Sequence, residues 1–195
     1  MLKNMITVII PYEGNKVLFS QLLVSIQPQL HPDDDIYIVD TTKNQEGVKL
    51  AKLLGSTRSF IFVEVAPEKS EIEALKYGFQ NMKENKQEGA LILPADCVIS
   101  STLVANFKKA KKTQYDMLFC RCSVVDQMAS NFKWFNPPPV VEGVTPVRLV
   151  QIVSAEGPCY ISSRVITEDY ELKVTDPKRV GYIDNEQAVK LRVTI

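Results

Sequence analysis

Three short polar segments follow apolar runs of this chain, and their side chains are of types that bind polar ligands. The runs at 6–10, 36–39 and 89–93 lead into Pro11, Tyr12 and Glu13, into Asp40, Thr41 and Thr42, and into Pro94, Ala95 and Asp96. Carboxylate and hydroxyl oxygens at such positions accept hydrogen bonds from hydroxyl and N–H groups of a ligand. Asp40 has a second interpretation, because an aspartate after a strand also caps a turn or helix.

The apolar runs have the length and composition of buried parallel strands, and runs at 59–65 and 117–125 share these features. Segments with helical spacing separate them: 17–26 before Pro28, 48–54 before Gly55, 70–85 behind the capping box of Ser70 and Glu73, and about 101–112. This alternation predicts an α/β fold with a parallel, doubly wound sheet. Ligands of such sheets bind outside the carboxyl ends of the strands, so the three polar segments are predicted to form one site.

Composition limits the class of protein. The 195 residues, 45% of them hydrophobic, are enough for one domain with a substantial core. The 23 basic and 23 acidic side chains leave no net charge to attract nucleic acid, and the lysines at 108, 109, 111 and 112 are interpreted as a solvated helix face. The absence of a signal peptide and of any stretch of eighteen apolar residues predicts a cytoplasmic protein without a transmembrane segment.

The residues that could bind a transition metal through nitrogen or sulfur are few. Four cysteines without a CxxC pair are expected to be buried, reduced thiols. The single histidine, His31, argues against a histidine-rich metal site.

The chain changes character after residue 128. Trp134 is followed by three consecutive prolines at 137–139, which favours a loop or an extended segment. Strands are predicted at 147–153 and 158–165. Asp184, with Gln187 three residues later, has the spacing of a helix N-terminus and predicts a last helix to about residue 193.

The first hundred residues resemble glycosyltransferase family 2, a family of inverting enzymes built on the GT-A fold. The resembling segments are, in order, 8–12 (VIIPY), 22–29 (LLVSIQPQ), 36–40 (IYIVD), 74–78 (ALKYG) and 91–96 (LILPAD). The resemblance implies a single GT-A domain over residues 1–195, with a mostly parallel sheet and helices on both faces. Residues 1–100 would form its nucleotide-sugar-binding half, and residues 101–195 its acceptor-side half.

The resemblance also assigns donor-binding residues along the predicted edge of the sheet. Asp40 would accept hydrogen bonds from ribose hydroxyls or a base N–H. Tyr12 would stack on the base or only line the rim. Pro11, Glu13 and Ala95 would border these two residues.

A divalent metal is implied by the family's D-x-D motif, in which two acids hold the ribose and the metal. Pro94 stands in place of the first acid, which leaves Asp96 as the expected ligand of Mn²⁺ or Mg²⁺. Cys97 follows where another acid is frequent, so the metal affinity is expected to be low. Lys76, in a slot where the family has asparagine, would face the diphosphate or solvent.

An inverting transfer needs a general base, and two aspartates match the family's E-D motif. Asp169, preceded by Glu168, resembles it in spelling, whereas Asp184 matches its spacing and its position at a helix start. Each could instead be an ordinary exposed carboxylate or cap. Trp134 would lie in the acceptor-binding loop or in the core.

The resemblance implies transfer of a sugar from a UDP- or GDP-sugar donor to a glycan or other hydroxyl acceptor. The chain could act as a homo-oligomer. The alternative is an inactive GT-A module that serves binding or assembly, motivated by the missing first acid and the short chain. A nucleotidyltransferase is disfavoured, because no glycine-rich phosphate loop followed by a basic residue lies near the first strand.

Overall fold

The computed structural model describes residues 6–32, 34–54, 61–64, 71–84, 87–111, 115–126, 133–135, 157–170, 173 and 179–192. These residues form one sheet with helices on both faces, a three-layer α/β arrangement. No helix within these ranges combines the length and the hydropathy that spanning a membrane requires. The predicted cap at Ser70, the proline run and the predicted strand at 147–153 lie outside the described residues.

The described part of the chain contains nine strands and four α-helices. The strands are β1 (Thr7–Tyr12), β2 (Asp35–Asp40), β3 (Ile61–Glu64), β4 (Gly89–Ile92), β5 (Cys97–Ile99), β6 (Met117–Asp126), β7 (Lys133–Phe135), β8 (Cys159–Ser162) and β9 (Val180–Arg192). The helices are α1 (Lys16–Ile26), α2 (Glu46–Leu54), α3 (Glu71–Glu84) and α4 (Leu103–Lys111). Short 3-10 helices occupy Gln27–Gln29 and Ser163–Val165.

The strand order is β3-β2-β1-β4-β8-β6-β9-β5, with β7 paired to β6 outside this path. The first four of these strands are mutually parallel. Strand β8 lies antiparallel between β4 and β6, so β6 runs in the direction of β4. Because β9 is parallel to β6 and β5 is antiparallel to β9, six of the nine described strands share one direction. The expected mostly parallel sheet is confirmed, but β5 and β8 interrupt the simple alternation of strand and helix.

Alternate residues of the strands pack into two cores on opposite faces of the sheet. Val8 and Ile10 of β1 pack with Phe19 of α1 and with α4 on one face. Ile9, between them, packs with Phe79 of α3 on the other. Residues 74–78, one of the segments that resemble glycosyltransferase family 2, take part in this packing, because a Cβ on Gly78 would lie 2.8 Å from Ile9 Cγ2. Glycine at this position therefore lets α3 approach β1 closely.

Strand β9 replaces the helix expected to begin at Asp184, and that prediction is wrong. Val189 and Leu191 alternate with Lys190 and Arg192, which is the period of a strand. Hydrogen-bonding partners are present on both sides, with β6 along its whole length and β5 opposite residues 188–190. Tertiary pairing therefore outweighs the local helix signal of a capping aspartate.

The lysine cluster is not uniformly solvated. Lys108 reaches across to Asp34, whose carboxylate it contacts at 2.6 Å, and the Lys108 side chain is only 16% exposed. Lys109, its neighbour on α4, is exposed as expected. The same carboxylate accepts hydrogen bonds from the backbone N–H groups of Ile6 and His31, so Asp34 ties the start of β1 to α4.

Three of the cysteines are free thiols and are buried, as predicted: Cys97, Cys120 and Cys159. Burial raises the pKa of the Cys159 thiol well above its usual value, with the neighbouring Cys120 adding to the effect. The Cys159 thiol is therefore protonated in the core and unsuited to nucleophilic chemistry.

Candidate functional site

Strands β1, β2 and β4 end at the same edge of the sheet, here called the carboxyl edge. Pairing of Pro11 with Val39 and of Tyr12 with Asp40 aligns the ends of β1 and β2. The backbone N–H and the hydroxyl of Thr41 both donate to the carbonyl of Tyr12, at 3.1 and 3.2 Å, which holds the two loops together. Leu93, which follows β4, donates to Ile9 O. The three polar segments are thus brought to one edge, as the sequence predicts.

Asp40 lies at this edge, but its carboxylate serves the protein itself. Its Oδ1 accepts from the N–H and the hydroxyl of Thr42, at 2.8 and 2.6 Å, and its Oδ2 accepts from Val48 N at 3.1 Å. The side chain of Thr42 in turn accepts from Glu46 N. Asp40 therefore caps the amino end of α2 and is 1% exposed. These contacts match the capping interpretation, and the ribose or base contact stays a prediction for a carboxylate that is buried in this structure.

Tyr12 is also turned inward. Its ring is fully buried and packs against Phe19 with ring centroids 4.6 Å apart. Burial, with Glu46 and Asp40 nearby, raises the pKa of Tyr12 to about 12. The stacking of Tyr12 on a base stays a prediction, and the burial of the ring in this structure disfavours it.

Gly47 makes room for Tyr12 beneath α2, and this close packing yields a testable prediction. A Cβ at Gly47 would lie 2.8 Å from Tyr12 Cγ and nearer still to Cδ1. Overpacking of this kind costs about 1–3 kcal/mol, which outweighs the ~1 kcal/mol that alanine gains over glycine in a helix. We therefore expect Gly47→Ala to lower the free energy of unfolding in urea.

The Tyr12→Leu background is the control for this prediction, since it removes the ring that the new methyl group meets. We expect Gly47→Ala to cost much less there, because the two changes are coupled through one contact. Equal losses in both backgrounds would contradict the proposed contact.

Asp96 lies in the connection between β4 and β5 and is half-buried, next to Ala95. Pro94, in place of the first acid, is buried. The connection is anchored by Gln29, whose Nε2 donates to Ser100 O at 2.9 Å and whose Oε1 accepts from Val104 N at 3.1 Å. The glutamine of the resembling segment at 22–29 therefore joins the end of α1 to the region that follows Asp96.

The fit of a divalent metal can be judged from the donors present. Among the described residues no three histidine, cysteine, aspartate or glutamate side chains are grouped for a metal ion. Asp96 is the single carboxylate offered by its loop, with its Oδ1 3.9 Å from the buried Cys97 Sγ. Mg²⁺ and Mn²⁺ are commonly held by one or two carboxylates together with substrate phosphates. The site therefore fits a metal that arrives with a diphosphate, rather than a metal caged by protein alone.

The remaining predicted donor-site residues lie on β1, just beyond β1 and on α3. Glu13 is exposed just beyond β1, and Pro11 is buried within it. Lys76 is half-buried in the second turn of α3, the helix that starts from this edge.

The two candidate bases lie at opposite edges of the sheet. Ile183 pairs with Cys120 and Glu186 with Arg121, so Asp184 and Asn185 are extra residues that form a bulge in β9. The bulge is at the carboxyl edge. Phe119 of β6 and Ile92, the last residue of β4, both pair with Cys159 of β8, so Cys120 is level with the end of β4.

Asp169, in contrast, follows β8 where that antiparallel strand ends beside the start of β4. It is exposed, and the backbone carbonyl of Thr167, on the same turn, accepts a hydrogen bond from Lys83 near the end of α3. Asp169 as the base stays a prediction, and Asp184 is favoured over it because the whole sheet separates Asp169 from Asp96.

Two further features lie at this edge. Lys16, at the start of α1, forms an ion pair with Glu46 at 3.2 Å and is 59% exposed, so it offers a cation beside the rim. Gly157 has a φ of 124° and leads into Pro158, whose carbonyl accepts from Cys120 N. A lysine two residues after a loop glycine, and a Gly-Pro pair before a strand, are the only signals the sequence carries for them.

Comparison with known proteins shows which class of fold this is. No family model matches the chain, and no curated protein matches it in sequence. Among solved structures, S. aureus TarS (residues 1–349) superposes with a TM-score of 0.67 at 12% identity, over 96% of this chain and 60% of that one. The mannosyltransferase PcManGT from Pyrobaculum calidifontis, in complex with GDP-Man and Mn²⁺, gives 0.61 at 13% identity, over 96% and 56%. A 4-diphosphocytidyl-2C-methyl-D-erythritol synthase from Anaerococcus prevotii gives 0.57 at 13% identity, over 93% and 87%.

These likenesses define the fold: the chain has the GT-A fold. It spans about 60% of the length of the TarS chain it matches. At identities of 12–13% the comparison establishes architecture, and activity must be argued from the residues at the carboxyl edge.

Proposed function

We propose that this chain is a glycosyltransferase that moves a sugar from a nucleotide-diphospho-sugar to an acceptor hydroxyl. The observation that carries the proposal is the position of Asp96 in a GT-A sheet, on the loop directly after β4 and beside the loops that follow β1 and β2. TarS has been crystallised with UDP-GlcNAc and PcManGT with GDP-Man, so a UDP- or GDP-sugar is the proposed donor. The solvent-accessible groups of the carboxyl edge would bind it, and the buried side chains of Asp40 and Tyr12 would stabilise the loops that carry those groups.

The electrostatic requirement of the reaction is to stabilise the departing nucleoside diphosphate. Asp96 would hold Mn²⁺ or Mg²⁺, and the metal would offset the negative charge of the diphosphate. Lys16 lies at the same edge and could add positive charge there, although its pairing with Glu46 reduces what it contributes.

The proposed chemistry is an inverting displacement. The acceptor oxygen attacks the anomeric carbon while the bond from that carbon to the diphosphate oxygen breaks. Asp184, on the bulge of β9, takes the proton of the acceptor hydroxyl. Bulges often redirect side chains beside active sites, which is why this position suits a base better than a regular strand position.

Nucleotide binding tests the proposal. We expect UDP or GDP to bind at millimolar concentrations or below, and Mn²⁺ to strengthen that binding, as measured by titration calorimetry. In Asp96→Ala the metal-dependent gain should be lost, a weakening on the order of tenfold or more, because a charge-assisted contact is removed.

Asp169→Ala, on the opposite edge, is the matched control and should bind like the unmodified protein. If neither nucleotide binds at millimolar concentrations, with or without metal, the transferase proposal fails. If a nucleotide does bind, a panel of sugar nucleotides would identify the donor, because only the donor would release its nucleoside diphosphate.

The second candidate function is an inactive GT-A module for binding or assembly, which the buried Pro94 in place of an acid favours. Nucleotide binding without release of nucleoside diphosphate from any sugar nucleotide, in the presence of varied acceptors, would support it.

A further inference from the structure

The side-chain amide of Gln29 joins two separate parts of the fold. Gln29 is the last residue of the 3-10 helix that follows α1, and it is half-buried. Its Nε2 donates to Ser25 O in the last turn of α1 and to Ser100 O after β5, both at 2.9 Å. Its Oε1 accepts from Val104 N at 3.1 Å. Both hydrogens of the amide and one lone pair of its oxygen are therefore used.

The contact with Val104 acts as a helix cap. Val104 is the second residue of α4, so its N–H has no acceptor within that helix. An N–H in this position usually bonds to the side chain of the residue before the helix, but here the acceptor is 75 positions earlier in the sequence. Ser100 O also accepts from Leu103 N at 3.3 Å. Gln29 therefore bonds to both ends of the turn that starts α4.

Strand β5 connects this turn directly to Asp96. It has three residues, 97–99, and the first and last of them are buried in the core that includes α1. On the other side of Asp96, Leu93 N donates to Ile9 O at 2.9 Å. Asp96 thus lies between an anchor on β1 and the anchor that Gln29 provides.

A strand as short as β5 depends on its ends for its position. Strands usually have about five or six residues, whereas β5 pairs with only three residues of β9. A shift of Ser100 would pass along this short extended segment to Asp96, four residues earlier. Groups that bind a metal or a substrate must be held within about 0.5 Å of their productive positions by residues that are themselves fixed. The bonds of Gln29 fix one end of the segment that carries Asp96.

We propose that Gln29 is a positioning residue for Asp96 and, through Asp96, for the divalent metal that accompanies the nucleoside diphosphate. Gln29 holds the backbone after Asp96, so the carboxylate meets the metal without rearrangement of the loop. The inference rests on the proposed function, because that function makes Asp96 the metal ligand. A cap that only stabilised α4 would lower the free energy of unfolding without a selective effect on metal binding.

Gln29→Glu tests the proposal, because it keeps the shape and the acceptor for Val104 N but loses both donors. The new oxygen is repelled by the carbonyls of Ser25 and Ser100, which accept from Gln29 in the unmodified protein. Titration calorimetry with UDP or GDP, in Mn²⁺ and in EDTA and well below the unfolding midpoint, measures the effect.

We expect Gln29→Glu to reduce the Mn²⁺-dependent gain in nucleotide affinity by about threefold to tenfold. Substitution of a residue that bonds directly to a metal ligand typically costs about 10–100-fold in metal affinity, and Gln29 acts less directly, through the backbone. Nucleotide affinity in EDTA should stay within about twofold, because the loops after β1 and β2 do not depend on the bonds of Gln29 to Ser100 and Val104.

Gln21→Glu is the matched control, since it makes the same change on the exposed face of α1. It should bind like the unmodified protein with and without metal. Asp34→Ala destabilises the fold at the opposite edge of the sheet and should keep the full Mn²⁺-dependent gain. Gln29→Met, which keeps the length of the side chain but has no amide, is the second variant should Gln29→Glu not fold.

Amide hydrogen exchange of the unmodified protein adds a measurement that needs no substitution. Binding of UDP or GDP with Mn²⁺ should slow exchange at Val104 N and along β5 more than in EDTA, because two coupled sites stabilise each other reciprocally. Exchange that is the same with and without the metal would contradict the coupling.

Four outcomes separate this proposal from the proposed function. A full Mn²⁺-dependent gain in a folded Gln29 variant would overturn the proposal and leave the role of Asp96 intact. Equal losses in Mn²⁺ and in EDTA would also overturn it, since they would show a general disturbance of the site. A matching loss in Asp34→Ala would assign the effect to stability instead. If the unmodified protein shows no gain with Mn²⁺, Asp96 does not bind the metal, and both proposals fail on that point.

Discussion

Asp184→Asn is expected to reduce sugar transfer by about a hundredfold to ten-thousandfold while leaving nucleotide binding unchanged. The amide has the shape of the carboxylate but cannot accept the proton of the acceptor hydroxyl, and a positioned base contributes about that factor. The backbone supports the choice of residue, because Asp184 lies on the bulge opposite Cys120, at the carboxyl edge. The rate of nucleoside diphosphate release with a competent donor and acceptor measures transfer, and calorimetry with UDP or GDP measures binding.

Asp169→Asn is the matched control, since it is the same substitution on an exposed turn at the other edge. It should retain the transfer rate within about twofold, because surface substitutions of this kind rarely disturb the fold. Unchanged turnover in Asp184→Asn would move the base to another residue. A parallel loss of nucleotide affinity would show that Asp184 serves binding instead of proton transfer.

Asp34→Ala is expected to lower the free energy of unfolding by about 3–5 kcal/mol, the usual cost of removing one partner of a buried ion pair. The substitution leaves the Lys108 ammonium, 2.6 Å from Asp34 Oδ2 and 16% exposed, without its counter-charge. It also leaves the N–H groups of Ile6 and His31 without the acceptor they now have. Urea denaturation, followed by circular dichroism, measures the change.

Glu46→Ala provides the comparison, because it breaks the exposed pair of Glu46 with Lys16, whose side chains are 31% and 59% exposed. An exposed pair contributes at most about 1 kcal/mol, since water screens both charges. If the two variants lose similar stability, Asp34 and Lys108 do not form the buried link inferred between the start of β1 and α4.

The first half of the fold could be predicted from sequence because its signals are local. Short β-branched runs, helical spacing and terminating residues such as Pro28 predict the elements from β1 to β4, and each is present. Strand β9 could not be predicted in this way. Asp184 and Gln187 have the spacing of a helix cap, the alternation that favours a strand covers only residues 189–192, and the pairing of residues 180–192 with β6 and β5 decides between the two signals.

The site was predicted at the level of the edge but not of the single side chain. That Asp40 and Asp96 follow strands is visible in the sequence, and both lie at the carboxyl edge. Their different surroundings are not visible: Asp40 is turned into the cap of α2, whereas Asp96 is half-buried on its loop. Lys108 illustrates the same limit, because its role depends on Asp34, 74 residues away in sequence.

The position of β9 in the sheet has a consequence for how the chain folds. Within the described residues, β5 pairs with β9 and with no other strand, and β9 lies at residues 180–192. About ninety residues separate these partners in sequence, so their pairing must close a long loop before its hydrogen bonds can form. Contacts of such large sequence separation slow folding. During synthesis, therefore, β1 to β4 can pair early, while β5 waits for a strand that leaves the ribosome much later.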